Sequence, residues 1–161
     1  MKSLGFMLFL LGLAPTFASA HEYAFGTLEI AHPYLRAAPP KAKTGAGYLT
    51  IRNVGTVSDR LWAIETKAAE RVELHQSTFE NGIVKMRPIV GGLEIPAGGE
   101  YRLGLDGTHA MLINLSAPLV VGDYVEATLV FERAGRVEVA FAVEPANIKP
   151  GPSGDGHADA H

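Results

Sequence analysis

From about Phe25 to Val143 the chain is written in short runs that alternate apolar and polar residues: LEIAHPYLRA, GYLTIRN, RLWAIET, RVELHQS, GIVKMRPI, EYRLGL, HAMLINL, YVEATLVFE and RVEVAFAV. Successive side chains of a strand point to opposite faces, so alternation marks half-buried β-strands. Turn residues separate the runs. Asn81-Gly82 predicts a tight hairpin, Pro96-Ala97-Gly98-Gly99 precedes Glu100, and Gly122-Asp123 precedes a strongly alternating strand. Eight or nine strands follow, in an all-β fold: an antiparallel two-sheet sandwich or Greek-key barrel. No segment sustains a helical period, and Ala68-Ala69 suggests at most one turn of helix. Residues 36–46, RAAPPKAKTGA, predict an exposed connection between the first two strands.

The two ends depart from this pattern. Residues 1–20, MKSLGFMLFLLGLAPTFASA, combine Lys2, a short apolar run, Pro15 and small residues at Ala18 and Ala20, the layout of a secretory signal peptide cut after Ala20. We therefore expect a leader (1–20), a single β-sandwich domain (21–144) and a tail (145–161) that ends in PGPSGDGHADAH and has too little apolar surface to order itself. No stretch reaches the roughly 20 apolar residues of a membrane helix. The expected protein is exported, does not span the membrane and is a monomer.

Composition narrows the chemistry. The net charge is −3, with both signs spread along the chain, which is unlike a nucleic-acid-binding surface. Cysteine is absent, which removes disulfides, thiolate zinc sites, thiolate copper and cysteine nucleophiles. No Ser/His/Asp order or His-Glu-X-X-His helix is present, and GGLEIPAGG lacks the Gly-Lys-Ser/Thr ending of a phosphate loop. No enzyme is expected.

What remains is histidine and methionine. Met1 and Met7 fall in the leader, leaving Met86 and Met111. His109 and Met111 are two apart in one strand run and so share a face. His75 ends the run RVELH and Met86 ends GIVKM, two runs joined through the Asn81-Gly82 turn. Each residue alone has an ordinary explanation, because methionine is an adaptable core filler and a strand-end histidine is usually hydrogen-bonded. Together they form a His2Met2 set. Thioether sulfur is soft and carries no proton to lose, which suits Cu(I), and neutral imidazole completes the shell.

The region from Ala31 to Val143 resembles the periplasmic copper chaperones of the PCuAC type, whose pattern sets a His and a downstream Met ahead of a distant His-X-Met. The matching residues are His75, Met86 and His109-Ala110-Met111, and HPYLRAAPPKAKTGAGYLTIRN, DRLWAIETKAAERVELHQS and LEIPAGGEYRL resemble the family as well. The resemblance implies a cupredoxin-like fold, Cu(I) binding in the periplasm and delivery toward cytochrome c oxidase assembly. The acceptor it implies is a copper-accepting protein such as cytochrome c oxidase subunit II or a Sco-type protein. Two departures stand out: Gln76 occupies a position where the family often has Met, and the stretch from Met86 to His109 is longer by about one residue, around turns where insertion is tolerated. The competing reading is a metal-free periplasmic interaction module, in which the four residues would not converge.

Other residues carry weaker signals. His157 and His161 beside Asp155 and Asp159 offer donors for a secondary Cu(II) site in the tail, although a solvated tail is the simpler reading. His21 would chelate Cu(II) only as the mature N-terminus. His32 is expected to be structural, Trp62 a core or rim aromatic, and Arg36, Asn53, Asp59 and Arg60 fold-supporting partners.

Overall fold

The computed structural model describes residues 22–147 except Asp106. It contains β1 (Glu22–Phe25), β2 (Leu28–Arg36), β3 (Thr44–Asn53), β4 (Asp59–Thr66), β5 (Ala69–Glu80), β6 (Ile83–Pro88), β7 (Leu93–Ile95), β8 (Glu100–Leu103), β9 (Thr108–Leu115), β10 (Tyr124–Phe131) and β11 (Arg136–Glu144). All nine alternating runs are strands. The two additions, β1 and β7, are four and three residues long. Ala68 lies in a turn and Ala69 opens β5, so no helical turn forms there.

The predicted connection 36–46 is shorter than expected, because β3 already begins at Thr44 and Gly45, Ala46 and Gly47 pair with Leu112, Met111 and Ala110 of β9. Small residues hide this strand from a hydrophobicity pattern. A Cβ at Gly45 would stand 2.8 Å from a Leu119 methyl, and one at Gly47 would stand 2.9 Å from a Leu35 methyl. Neighbouring leucines fill the space that the strand's own side chains would otherwise take.

The sheet runs β6-β5-β9-β3-β2-β11-β10-β4-β7, with β1 on β2 and β8 on β3. Its far ends fold back on each other, β4 against β5 and β7 against β8, so the sheet rolls around one core. Leu28, Ile30, Ile51, Leu61, Leu129 and Phe141 are among the side chains sealed inside. Pairing is antiparallel throughout, as expected, except at β2–β11, where Tyr34, Leu35 and Arg36 run parallel to Ala142, Val143 and Glu144. This short parallel seam joins the two halves of the roll. His32 pins it: its backbone takes φ 47° at the irregularity in β2, its ring stacks on Tyr34 at 4.7 Å, and its Nε2 lies 2.6 Å from Glu144 Oε1. That is the structural role expected of it.

Trp62 is about half exposed, not buried, and its ring lies 5.6 Å under the Arg60 guanidinium. Asn53 and Asp59 are buried polar pins. The Asn53 amide donates to Val57 O at 2.8 Å and its Oδ1 accepts from Gly55 N at 3.0 Å. The Asp59 carboxylate accepts from three backbone N–H groups, Arg60 at 2.7 Å and Arg133 and Ala134 at 2.9 Å each, tying the start of β4 to the β10–β11 turn. Replacing Asp59 with Ala leaves those donors unsatisfied. We expect a loss of about 3 kcal/mol in urea unfolding, and a loss below about 0.5 kcal/mol, the scatter of ordinary surface substitutions, would contradict this role for Asp59.

Candidate metal centre

Register alone gathers the four candidate ligands on one face. In the antiparallel β5–β9 ladder His75 stands opposite His109 and Glu73 opposite Met111, while in β5–β6 Ser77 stands opposite Met86. Directly opposed residues share a face, as do residues two apart, so His75, His109, Met111 and Met86 all project the same way. The other face of β5 and β9 carries Leu74, Ala110 and Leu112, all buried in the core. The Asn81-Gly82 turn that sets the β5–β6 register is the predicted one, with φ of 52° and 80° at its two residues, as a two-residue hairpin requires.

His109 sits where β3 changes partners. β3 pairs with β9 up to Gly47–Ala110 and with β8 from Leu49–Leu103 onward, so the β8–β9 turn opens beside the first residues of β9. Gly104 N to Thr108 O at 2.8 Å closes that turn, and Ser77 N bonds to Gly107 O at 3.1 Å. The two imidazoles meet there with centroids 5.9 Å apart at 60°. His109 is buried, and only 12% of the His75 side chain is exposed.

Polar partners fix both rings. His75 Nε2 lies 2.8 Å from Glu73 Oε2, and Arg71 Nε donates to Glu73 Oε1 at 2.9 Å. Arg71, and after it His75, hold the Glu73 carboxyl below the usual carboxylate range. His109 Nδ1 lies 3.4 Å from Gly107 O. His75 Nδ1 is buried without a hydrogen-bond partner, although buried imidazole nitrogens ordinarily find one.

Met111 is half-buried beside this pair, whereas Met86 is 57% exposed on β6, every residue of which is exposed. Since His75 opposes Pro88, Met86 is diagonal to His75, a relation that sets residues ~7–8 Å apart and within reach of a long side chain. Phe79 and Val84 oppose each other farther out on the same face, giving Met86 exposed apolar neighbours. The structure thus brings the histidines together with Met111 alongside, and leaves Met86 at the edge. Among the described residues no three His, Asp or Glu side chains form a metal-holding group.

Gln76 opposes Thr108 and faces away from His75, so the family's common Met at that position would lie off this face. Sequence reasoning missed Glu73 and Arg71. The signal was available in Arg-Val-Glu-Leu-His, whose alternation aligns all three polar side chains. Ile113 is half-buried on the site's face, while Leu112 is buried and Leu115 packs on the core's margin. The leader, His21, His157 and His161 lie outside the described residues, as does all of the tail beyond Asn147.

The family described as "Putative lipoprotein LpqE-like" matches residues 28–143. The chain belongs to this LpqE-like family. It is similar to the copper-bound PCuAC domain from PmoF2, with 30% identity over 78% of this chain and 98% of that one and a TM-score of 0.66. It is also similar to CuI-DR1885 from Deinococcus radiodurans, with 31% identity over 82% of this chain and 85% of that one and a TM-score of 0.60. A curated relative, "Putative lipoprotein Lxx21020" of Leifsonia xyli subsp. xyli, is 31% identical over 99 residues, and the match spans 60% of that protein's length. The all-β architecture is therefore the cupredoxin-like fold of PCuAC domains, and the resemblance read from the sequence holds.

Burial, followed by the neighbouring His75, pushes the His109 imidazole below its ordinary value of about 6.5, and the Gly107 carbonyl only partly offsets this. The fold thus favours the neutral ring, the form that ligates metal. A base with a depressed folded pKa contributes stability that is fully present above its unfolded pKa and is lost as pH falls through the folded value. In copper-free protein we expect the His109 ring to titrate below about 6.5 by NMR, with unfolding stability declining over the same acid range. A midpoint above that value would contradict the assignment.

Proposed function

We propose that this protein is a periplasmic copper chaperone that holds one Cu(I) ion through His75, Met86, His109 and Met111 and passes it to an acceptor. The observation that carries the reading is the opposed histidine pair on a sheet face that also bears both thioethers, with Nδ1 of His75 buried and without a hydrogen-bond partner. The copper-bound PmoF2 domain and CuI-DR1885, each about as similar to this chain as the other, support it.

The donor set suits transfer more than storage. Without thiolate the ion is held by neutral ligands, and an acceptor with stronger donors can take it by ligand exchange. Met86 is the exposed member and the one an incoming ligand would displace first. The acceptor we propose is cytochrome c oxidase subunit II or a Sco-type protein, in the assembly of the oxidase copper site.

Replacing Met86 and Met111 together with leucine removes the soft donors while conserving volume, a change that usually costs less than about 1.5 kcal/mol. We expect Cu(I) affinity in a competition titration to fall at least ~100-fold, more than the loss of an outer-shell partner produces, with the unfolding midpoint nearly unchanged. Unaltered affinity would defeat the proposal that the thioethers hold the ion.

A further inference from the structure

A neutral imidazole has one N–H and one lone pair, and the partner of the N–H decides which nitrogen can bind a metal. An ionised carboxylate only accepts hydrogen bonds, so the 2.8 Å contact between His75 Nε2 and Glu73 Oε2 places the proton on Nε2. The lone pair then belongs to Nδ1, the buried atom with no partner. His109 is the reverse case: its Nδ1 faces the Gly107 carbonyl, another pure acceptor, so its lone pair falls on Nε2. Glu73 is itself fixed, since Arg71 Nε donates to its other oxygen at 2.9 Å.

We propose, resting on the copper reading above, that Arg71 and Glu73 are positioning residues that lock His75 into the Nε2–H tautomer, so that copper is held by Nδ1 of His75 and Nε2 of His109. The same clamp withholds Glu73 from the ion. Glu73 projects from the ligand face opposite Met111, near enough in register to compete as a hard oxygen donor, but both of its oxygens are engaged. With the carboxylate held back, the thioethers set the preference for a soft, monovalent ion.

Nitrogen-15 NMR of histidine-labelled, copper-free protein reads the tautomer directly. The expected result is an Nε2–H ring at His75 in the wild type, a mixture of tautomers in Glu73→Ala, and restoration in Glu73→Gln, whose amide oxygen can accept the same hydrogen bond. In a Cu(I) competition titration Glu73→Ala should bind about 10–100-fold more weakly, as loss of an outer-shell partner typically does, and Glu73→Gln should recover most of that loss. An Nδ1–H ring at His75 in the wild type overturns the proposal without recourse to any variant. Wild-type affinity in Glu73→Ala overturns the clamp alone, whereas wild-type protein that takes up no Cu(I) overturns the copper reading and the ligand assignment together.

Discussion

The register of β5 against β9 is the constraint on which the site depends. It sets His75 opposite His109 and Glu73 opposite Met111, and the site's geometry is a consequence of that alignment. A slip of one residue would exchange the two faces, burying the imidazoles and exposing Leu74 and Ala110. The packing of Leu74, Ala110 and Leu112 in the core therefore fixes the candidate ligands as well as the fold. The chemistry on one face of the sheet is held in place by hydrophobic burial on the other.

Burial falls steadily across this face. His109 is enclosed where β3 parts from β9, His75 is nearly enclosed, Met111 is half-buried, and Met86 stands in solvent on an edge strand. A metal bound there would rest on a buried inner pair, the half-buried Met111 and one exposed outer donor. Thioether is the right donor for the outer position, because it needs no deprotonation and its affinity is soft and modest. The arrangement favours an ion that can be taken over from one side.

Much of this was legible in the sequence, for identifiable reasons. Period-two alternation exposed nine of the eleven strands, and Asn81-Gly82 marked the hairpin that carries Met86. His109-Ala110-Met111 put two candidate ligands on one face by spacing alone. Other features left no such trace. The three residues of β7 are too short for a period, Gly45-Ala46-Gly47 lacks the bulk that marks a strand, and the parallel β2–β11 seam depends on residues more than a hundred positions apart. Trp62, expected in the core or at its rim, is half exposed at the rim, with the Arg60 guanidinium over its ring. Glu73 was overlooked because a carboxylate on a strand ordinarily reads as solvated surface. Only the register shows that it faces the histidines and is clamped by Arg71.

X-ray absorption at the copper edge, on protein loaded with one equivalent of Cu(I) under reducing conditions, tests the central claim most directly. The expected first shell contains both thioether sulfur and imidazole nitrogen, in equal number. A shell of nitrogen and oxygen alone, or sulfur without imidazole, would contradict it.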